Sequence, residues 1–416
     1  MMKQNKKIAE GGRAKGRWDK SACLLNKNYR ICYVTNPTLP RKRMKKNMAK
    51  SIITELLHDA GIAINGNQPG DIKVYNEAFY SQVVRGGSLA LGEMYMNSWW
   101  DCQALDVFFE RLMLTHSEEK IKKSMRLMLK LAFAKIINFQ TKKRAFLVGE
   151  KHYDIGNDLF QCMLDREMNY TCAYWKNATT LDEAQLAKLD LVCRKLQLKP
   201  GMRLLDIGCG WGALAKYAAQ HYHVEVVGVT ISTEQCEHAK ENCKNLPVEI
   251  RLQDYRDLSG KFDRIVSLGM FEHVGHLNYR TYMEIVRKLL TDDGIFLLHT
   301  IGSNTSVTYA DEWISHYIFP NGMLPSIAQI GKATEKLFVM EDWHNFGAYY
   351  DKTLMAWHDN FNNAWETLKG KYDERFYRMW NYYLLMCAGV FRARDAQLWQ
   401  IVFSKNGIPG GYEAPR

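Results

Sequence analysis

The sequence predicts an α/β fold, a seven-stranded, mostly parallel sheet covered by helices and preceded by a small all-helical domain. Two observations carry this. Residues 202–212 (MRLLDIGCGWG) place a short apolar run before Gly208, Gly210 and Gly212, and residues 213–222 (ALAKYAAQHY) continue as a helix. The run is too short for a helix and has the apolar density of a strand buried on both faces. Around and beyond it, strand-like segments (VEVVGVT, VEIRLQD, FDRIVSLG, GIFLLHTIG, LFVMED, LWQIVFS) alternate with helix-like ones. Such alternation builds a parallel sheet with helices on both faces.

In chain order, residues 1–46 contain KQNKK, GGRAKGR and RKRMKK with little apolar periodicity, and read as a disordered polybasic tail. The net charge of +11 resides there: residues 1–50 hold 15 Lys and Arg against 2 Asp and Glu, and the rest is close to neutral. The tail can reach an anionic membrane or nucleic acid; equally, it can be a solvated extension without a role. Residues 47–140 read as the helical domain, with apolar spacing in AKSIITELLHDAGI, two short helices in VYNEAFYSQVVRGG and LALGEMYMNSWWDC, and another in ALDVFFERLML. Residues 118–139 read as a long basic amphipathic helix, expected to pack its stripe on its own domain rather than on a membrane.

Residues 141–160 are an expected linker, 161–406 the second domain and 407–416 a tail. Within the second domain, YTCAYW should lie near a site, LDEAQLAKLDLVCRKLQL is an amphipathic helix, and Ser232 with Gln235 fits a capping box. Residues 302–330 and 347–393 interrupt the alternation and are crowded with aromatic residues. A long apolar substrate explains them, and so does packing.

The glycine turn lets backbone approach a ligand closely, and its letters also fit a dinucleotide fingerprint. Asp206 argues against that, because a pyrophosphate would meet a carboxylate at the strand end. The strand VEVVGVT also ends in Thr230 where a ribose-binding acid is expected. A cationic ligand such as the ammonium of S-adenosylmethionine suits Asp206; a packing turn without ligand is the alternative. The ten cysteines are scattered without paired spacing, which suggests neither zinc ligation nor a disulfide framework. Reduced thiols in a cytoplasmic protein are therefore expected; no stretch is long and apolar enough to cross a membrane, and the start lacks a signal-peptide pattern.

The blocks HYDIGNDLF, YTCAYW, LDIGCGWG, VVGVTISTEQ, LQDYRD, GMFEHVG, FLLHTIG, IFPNG, EDWHNFG and CAGVFRARD, in this order, resemble the cyclopropane-fatty-acyl-phospholipid synthases. The resemblance spans residues 48–404 and leaves out the basic tail. It implies a Rossmann-like class I methyltransferase domain acting with S-adenosylmethionine on a cis double bond of a phospholipid acyl chain. It further implies peripheral association with the cytoplasmic membrane and a homodimer. Carried over residue by residue, the cofactor would meet Tyr170, Thr171, Asp206, Gly208, Gly210, Gly212, Thr230, Gln235, Asp254 and Tyr255. Gln235 would reach the ribose and Asp254 the adenine amino group.

The same resemblance implies a bound bicarbonate cradled by Cys172, Glu272, His299, Ile301 and Tyr350, with Cys172 and Ile301 acting through backbone groups. Glu272 can accept from the anion's OH, and His299 and Tyr350 can donate to its oxygens. Taken singly, His299 reads as structural and Tyr350 as a core aromatic. Cys387, in the apolar helix YYLLMCAGVF, reads as a packing thiol before a nucleophile. Three alternatives stand beside the lipid-modifying enzyme: methyl transfer to a small amine, a non-catalytic lipid-binding protein, and a nucleic-acid methyltransferase. The near-neutral chain beyond the tail offers no basic groove for the last, and no nucleic-acid partner is expected.

Overall fold

A computed structural model describes residues 46–115 and 156–416. The polybasic tail through residue 45, the basic helix expected over 118–139 and the linker up to residue 155 lie outside the described residues.

In the first described stretch, α1 (Lys46–Asp59), α2 (Ala78–Met96) and α3 (Leu105–Leu114) form where apolar residues recur at three- and four-residue spacing. α2 holds the two short helices expected, divided by a kink at Gly87, whose backbone at φ +57° is not helical. The region is also not purely helical: β1 (Ile72–Val74) and β2 (Trp100–Cys102) pair antiparallel. Trp100 accounts for this departure. Its ring packs among Phe79, Tyr95 and Phe108 with centroids 5.3–6.0 Å apart, and its indole N–H donates to the Leu91 carbonyl at 2.9 Å. Those contacts outweigh the helical pattern that reaches Trp99.

The second stretch opens with α4 (Asn157–Met163) and α5 (Leu181–Lys195), the latter closed by a Thr180–Glu183 capping box. Strands β3 (Arg203–Ile207), β4 (Glu225–Thr230), β5 (Val248–Leu252) and β6 (Phe262–Leu268) follow, with α6 (Ala213–Tyr222) and α7 (Thr233–Asn242) between them. Then come α8 (Tyr279–Leu289) and β7 (Leu290–Ser303). The interrupting segments carry α9 (Glu312–Tyr317), α10 (Ile327–Thr334), α11 (Ala348–Leu368) and α12 (Glu374–Arg392), with β8 (Val339–Asn345) before α11 and β9 (Ala396–Ser404) at the end. The sheet runs β5-β4-β3-β6-β7-β9-β8. It is parallel from β5 to β7, and β9 is antiparallel to both neighbours. Separate apolar clusters cover its two faces, which explains why its strands read as apolar runs rather than alternations.

The box expected at α7 is half made. Ser232 Oγ accepts from the Gln235 backbone N–H, whereas the Gln235 side chain turns to Thr230 instead of back to Ser232.

The early helices share one apolar core with α11 and α12. Arg392 on α12 forks onto Asp351 at 2.8 and 2.9 Å and reaches Asp106 on α3 at 2.8 Å. Arg378 lies 4.0 Å from the Tyr95 ring centroid and donates to the Tyr95 carbonyl at 2.7 Å. Gly389 lets α12 approach α3 at backbone distance: a Cβ there would stand 2.4 Å from the Asp106 carbonyl oxygen and 2.8 Å from the Glu110 nitrogen. Neither backbone atom can swing away. Gly389→Ala is therefore expected to cost about 2 kcal/mol of stability by overpacking, read as a lower urea midpoint at unchanged slope. An unchanged midpoint would contradict this packing.

Candidate active site

β3 ends at the centre of the sheet, where strand order reverses and α/β folds open a crevice. The glycine turn that follows begins with Gly208 at φ +83°, where a Cβ would also press on Met270 at 2.8 Å. Gly210, at φ +55°, has open space where its Cβ would be. Both need the left-handed backbone that glycine adopts without steric cost. The cavity beside this turn is lined by Tyr170, Thr171, Asp206, Gly208, Gly210, Thr230, Gln235, Asp254 and Tyr255. These are nine of the residues that the sequence assigned to a cofactor. Gly212 is not on the wall. It caps α6, and a Cβ there would meet Ala239 and Cys243 of the neighbouring helix at 3.1–3.2 Å, so its smallness serves packing.

Three polar groupings shape the cavity. Asp206 is 2% exposed, and one carboxylate oxygen, Oδ1, has no hydrogen-bond partner. Burial pushes its carboxyl up to about 7, opposed by the nearby Lys188 ammonium. Thr230 Oγ1 donates to Gln235 Oε1 at 3.0 Å, so the Gln235 group left to approach a ribose hydroxyl is its NH₂. Arg256 holds both oxygens of Asp254 at 2.8 and 2.6 Å, and an adenine amino group would have to share that carboxylate.

Lys188, which sequence reasoning missed, also lines the cavity. It is fully buried on α5, and its ammonium donates to Asn169 Oδ1 at 2.8 Å and Thr171 Oγ1 at 3.1 Å. Asn169 in turn binds Asp165 through its backbone and side-chain N–H groups. The buried amine thereby pins the loop that carries Tyr170 and Thr171 to the cavity. A lysine inside LDEAQLAKLDLVCRK looks like any helical surface lysine, and its burial had no signal in the sequence.

The residues assigned to an anion cradle are not on the cavity wall but follow it in the chain, at Cys172, Glu272 and the C-terminal end of β7. Glu272 is 7% exposed, and its Oε1 accepts the Ile301 backbone N–H at 2.7 Å. The Ile301 backbone N–H is thus engaged by Glu272. The second oxygen, Glu272 Oε2, is buried without a partner, as is His299 Nε2. Burial pushes the Glu272 carboxyl up to about 7. His299 is held well below its ordinary range by burial, with Lys188 and Lys195 adding to the effect, so its imidazole is neutral.

Tyr350 stacks on Phe391 at 4.4 Å, and burial raises its phenol well above the ordinary value, with the Glu272 carboxyl adding to the effect. Cys172 is fully enclosed, and burial pushes its thiol up. Thr353 links this segment to α11: its Oγ1 accepts from the Ala173 backbone N–H at 3.1 Å and the Trp175 indole at 2.9 Å. Cys387 is half-buried, with its thiol pushed up to about 12 by burial, which keeps it protonated. The aromatic residues divide. Tyr170 packs on Trp357 at 5.2 Å and Phe319 at 6.2 Å beside the cavity, whereas Trp343 packs on Trp399 within the sheet.

The model of the mycolic acid cyclopropane synthetase family matches residues 140–401. A cyclopropane-fatty-acyl-phospholipid synthase of Escherichia coli is 57% identical over 365 residues, covering 88% of this chain and 95% of that protein. The chain belongs to this family. With it, the chain is an enzyme of the S-adenosylmethionine-dependent methyltransferase class. Among solved structures, mycolic acid cyclopropane synthase CmaA1 complexed with SAH and CTAB is 34% identical, covers 62% of this chain and 98% of its own, and superposes with a TM-score of 0.59. Coclaurine N-methyltransferase bound to N-methylheliamine and SAH covers 76% of this chain and 99% of its own, with a TM-score of 0.62 at 24% identity. That last likeness shows a shared fold.

Proposed function

We propose that the protein transfers the methyl carbon of S-adenosylmethionine to a cis double bond in a phospholipid acyl chain and closes a cyclopropane ring. The observation that carries this reading is 57% identity along nearly the whole length of a synthase named for that product. The N-methyltransferase alternative has only a shared fold behind it. The cavity suits the cofactor: Asp206 offers an unpaired buried oxygen to a cationic ammonium, and the glycine turn leaves room for close approach. Substrate chains lie in a bilayer, so the reading includes peripheral membrane association, and the family resemblance adds a homodimer. No helix among the described residues is long and apolar enough to cross a membrane.

An isolated alkene is a weak nucleophile, so rate must come from aligning it with the sulfonium methyl. Transfer breaks the S–CH₃ bond, forms one C–C bond and leaves a cation on the other alkene carbon. The rings of Tyr170, Trp357 and Tyr350 provide negative faces and exclude water. Loss of a proton from the new methyl lets the C–H electron pair close the ring. Bicarbonate, when bound, would supply a weak base for that proton. The chain's own groups fit such an anion: Glu272 Oε2 is an idle acceptor for its OH, and His299 Nε2 an idle ring nitrogen for its oxygens.

Mass spectrometry of phospholipids from cells expressing the chain tests the overall reaction. Unsaturated acyl chains are expected to gain one CH₂ and to lose their reactivity as alkenes. Unchanged lipids alongside a methylated amine would refute the reading.

Cofactor affinity is expected to weaken as pH falls below about 7, because protonation of Asp206 removes the charge that attracts the ammonium. Above that pH the carboxylate is ionised and affinity is full. Asp206→Asn should lose about 2 kcal/mol, or about thirty-fold, and the pH dependence with it. Calorimetric titration at several pH values checks this; a variant that binds like wild type would remove Asp206 from the site.

Glu272→Gln keeps shape but turns a donor toward the anion's OH. It should cripple turnover with cofactor affinity preserved, while rigorous bicarbonate removal should slow the wild type and re-addition restore it. Wild-type turnover indifferent to bicarbonate would pass the role of base to a side chain.

A further inference from the structure

β7, β9 and β8 bring three polar residues into one buried row across the sheet. His299 on β7 is opposite Gln400 on β9, which is opposite His344 on β8. Residues paired in this way project to the same face. Gln400 is 0% exposed and His299 1% exposed. The Gln400 amide nitrogen stands 3.3 Å from His299 Nδ1. His344 is engaged elsewhere, with its Nδ1 3.0 Å from the buried Lys195 ammonium. Among the described residues, Gln400 is thus the partner of the His299 ring.

A neutral imidazole carries one ring proton, and the hydrogen bond at one nitrogen decides which nitrogen holds it. An amide N–H directed at Nδ1 makes that atom the acceptor and leaves the proton on Nε2. Nε2 is the nitrogen buried without a partner. Glu272 is fixed two residues along β7, at the Ile301 amide, with its own idle oxygen. With the proton on Nε2, the pair offers one donor and one acceptor, as a hydrogen-carbonate-like oxyanion requires. With the proton on Nδ1, both idle atoms would be acceptors and an anion would be repelled.

We propose that Gln400 is a positioning residue, whose side-chain amide holds His299 as the Nε2–H tautomer so that the ring donates to an oxyanion shared with Glu272. The inference rests on the anion reading of Glu272 and His299. It adds to that reading the residue that decides whether His299 is a donor at all.

The test uses the full chain labelled with ¹⁵N-histidine, with the His299 signals assigned by their loss in His299→Asn. In bicarbonate-free wild type, the proton is expected on Nε2, with Nδ1 at the shift of an unprotonated acceptor. Gln400→Met keeps the length and removes the donor. Population should move toward Nδ1–H, and the bicarbonate concentration for half-maximal turnover should rise about ten-fold, with cofactor affinity unchanged. A merely structural glutamine would not move the proton between ring nitrogens. If the methionine variant does not fold, Gln400→Glu gives the same readout, because an acceptor in place of the donor draws a proton to Nδ1. An Nδ1–H tautomer in wild type, or a His299 spectrum unmoved by either substitution, would overturn the role of Gln400. The tautomer is read without bicarbonate, so this failure is distinct from a wild type indifferent to bicarbonate, which would overturn the anion reading itself.

Discussion

Two polar atoms that the protein buries and leaves without a partner, Glu272 Oε2 and His299 Nε2, set the terms for the rest of the site. A buried polar group without a hydrogen bond costs about 1–3 kcal/mol, and such groups in a native structure call for an explanation. Each residue is otherwise tied down. The Ile301 amide holds the other oxygen of Glu272, and Gln400 holds the other nitrogen of His299. Geometry is thus fixed on one side of each group while the opposite side is idle, as expected of a site preorganised for a small polar ligand.

The fold keeps those atoms dry. Glu272 follows β6 by a few residues, and His299 lies near the end of β7 beside the same crevice that opens at β3. α11 supplies Tyr350 and Trp357, and α12 supplies Phe391, which stacks on Tyr350. α12 is in turn clamped to α3 through Arg392 and the close approach at Gly389. The early helices are thereby joined to the two helices that carry Tyr350, Trp357 and Phe391. Low dielectric then strengthens whatever electrostatic contact a bound ligand makes, and it accounts for the raised Glu272 carboxyl and the neutral His299.

The sheet was legible because its strands are short apolar runs bounded by glycine and helical segments, and all seven fell where that pattern put them. The crevice at Asp206 was legible for a related reason, since strand, glycine turn and helix are consecutive in sequence. What stayed hidden depends on contacts between distant residues. Trp100 pulls its segment out of a helical pattern through three rings contributed by neighbouring elements. The Gln235 side chain leaves its capping box because Thr230 offers a competing bond. Lys188, Thr353 and Gln400 are polar residues that the fold buries completely, and a polar letter within a helix or strand does not reveal which side it faces. The Ile301 N–H is engaged by Glu272, which only the three-dimensional arrangement could disclose.

Whether the idle atoms of Glu272 and His299 hold one oxyanion is tested, without reliance on turnover, by titrating the protein with ¹³C-labelled bicarbonate followed by carbon NMR. Saturable binding is predicted in wild type, lost in Glu272→Gln while cofactor affinity is retained. Binding that survives the substitution unchanged, or no binding in an active wild-type sample, would contradict it.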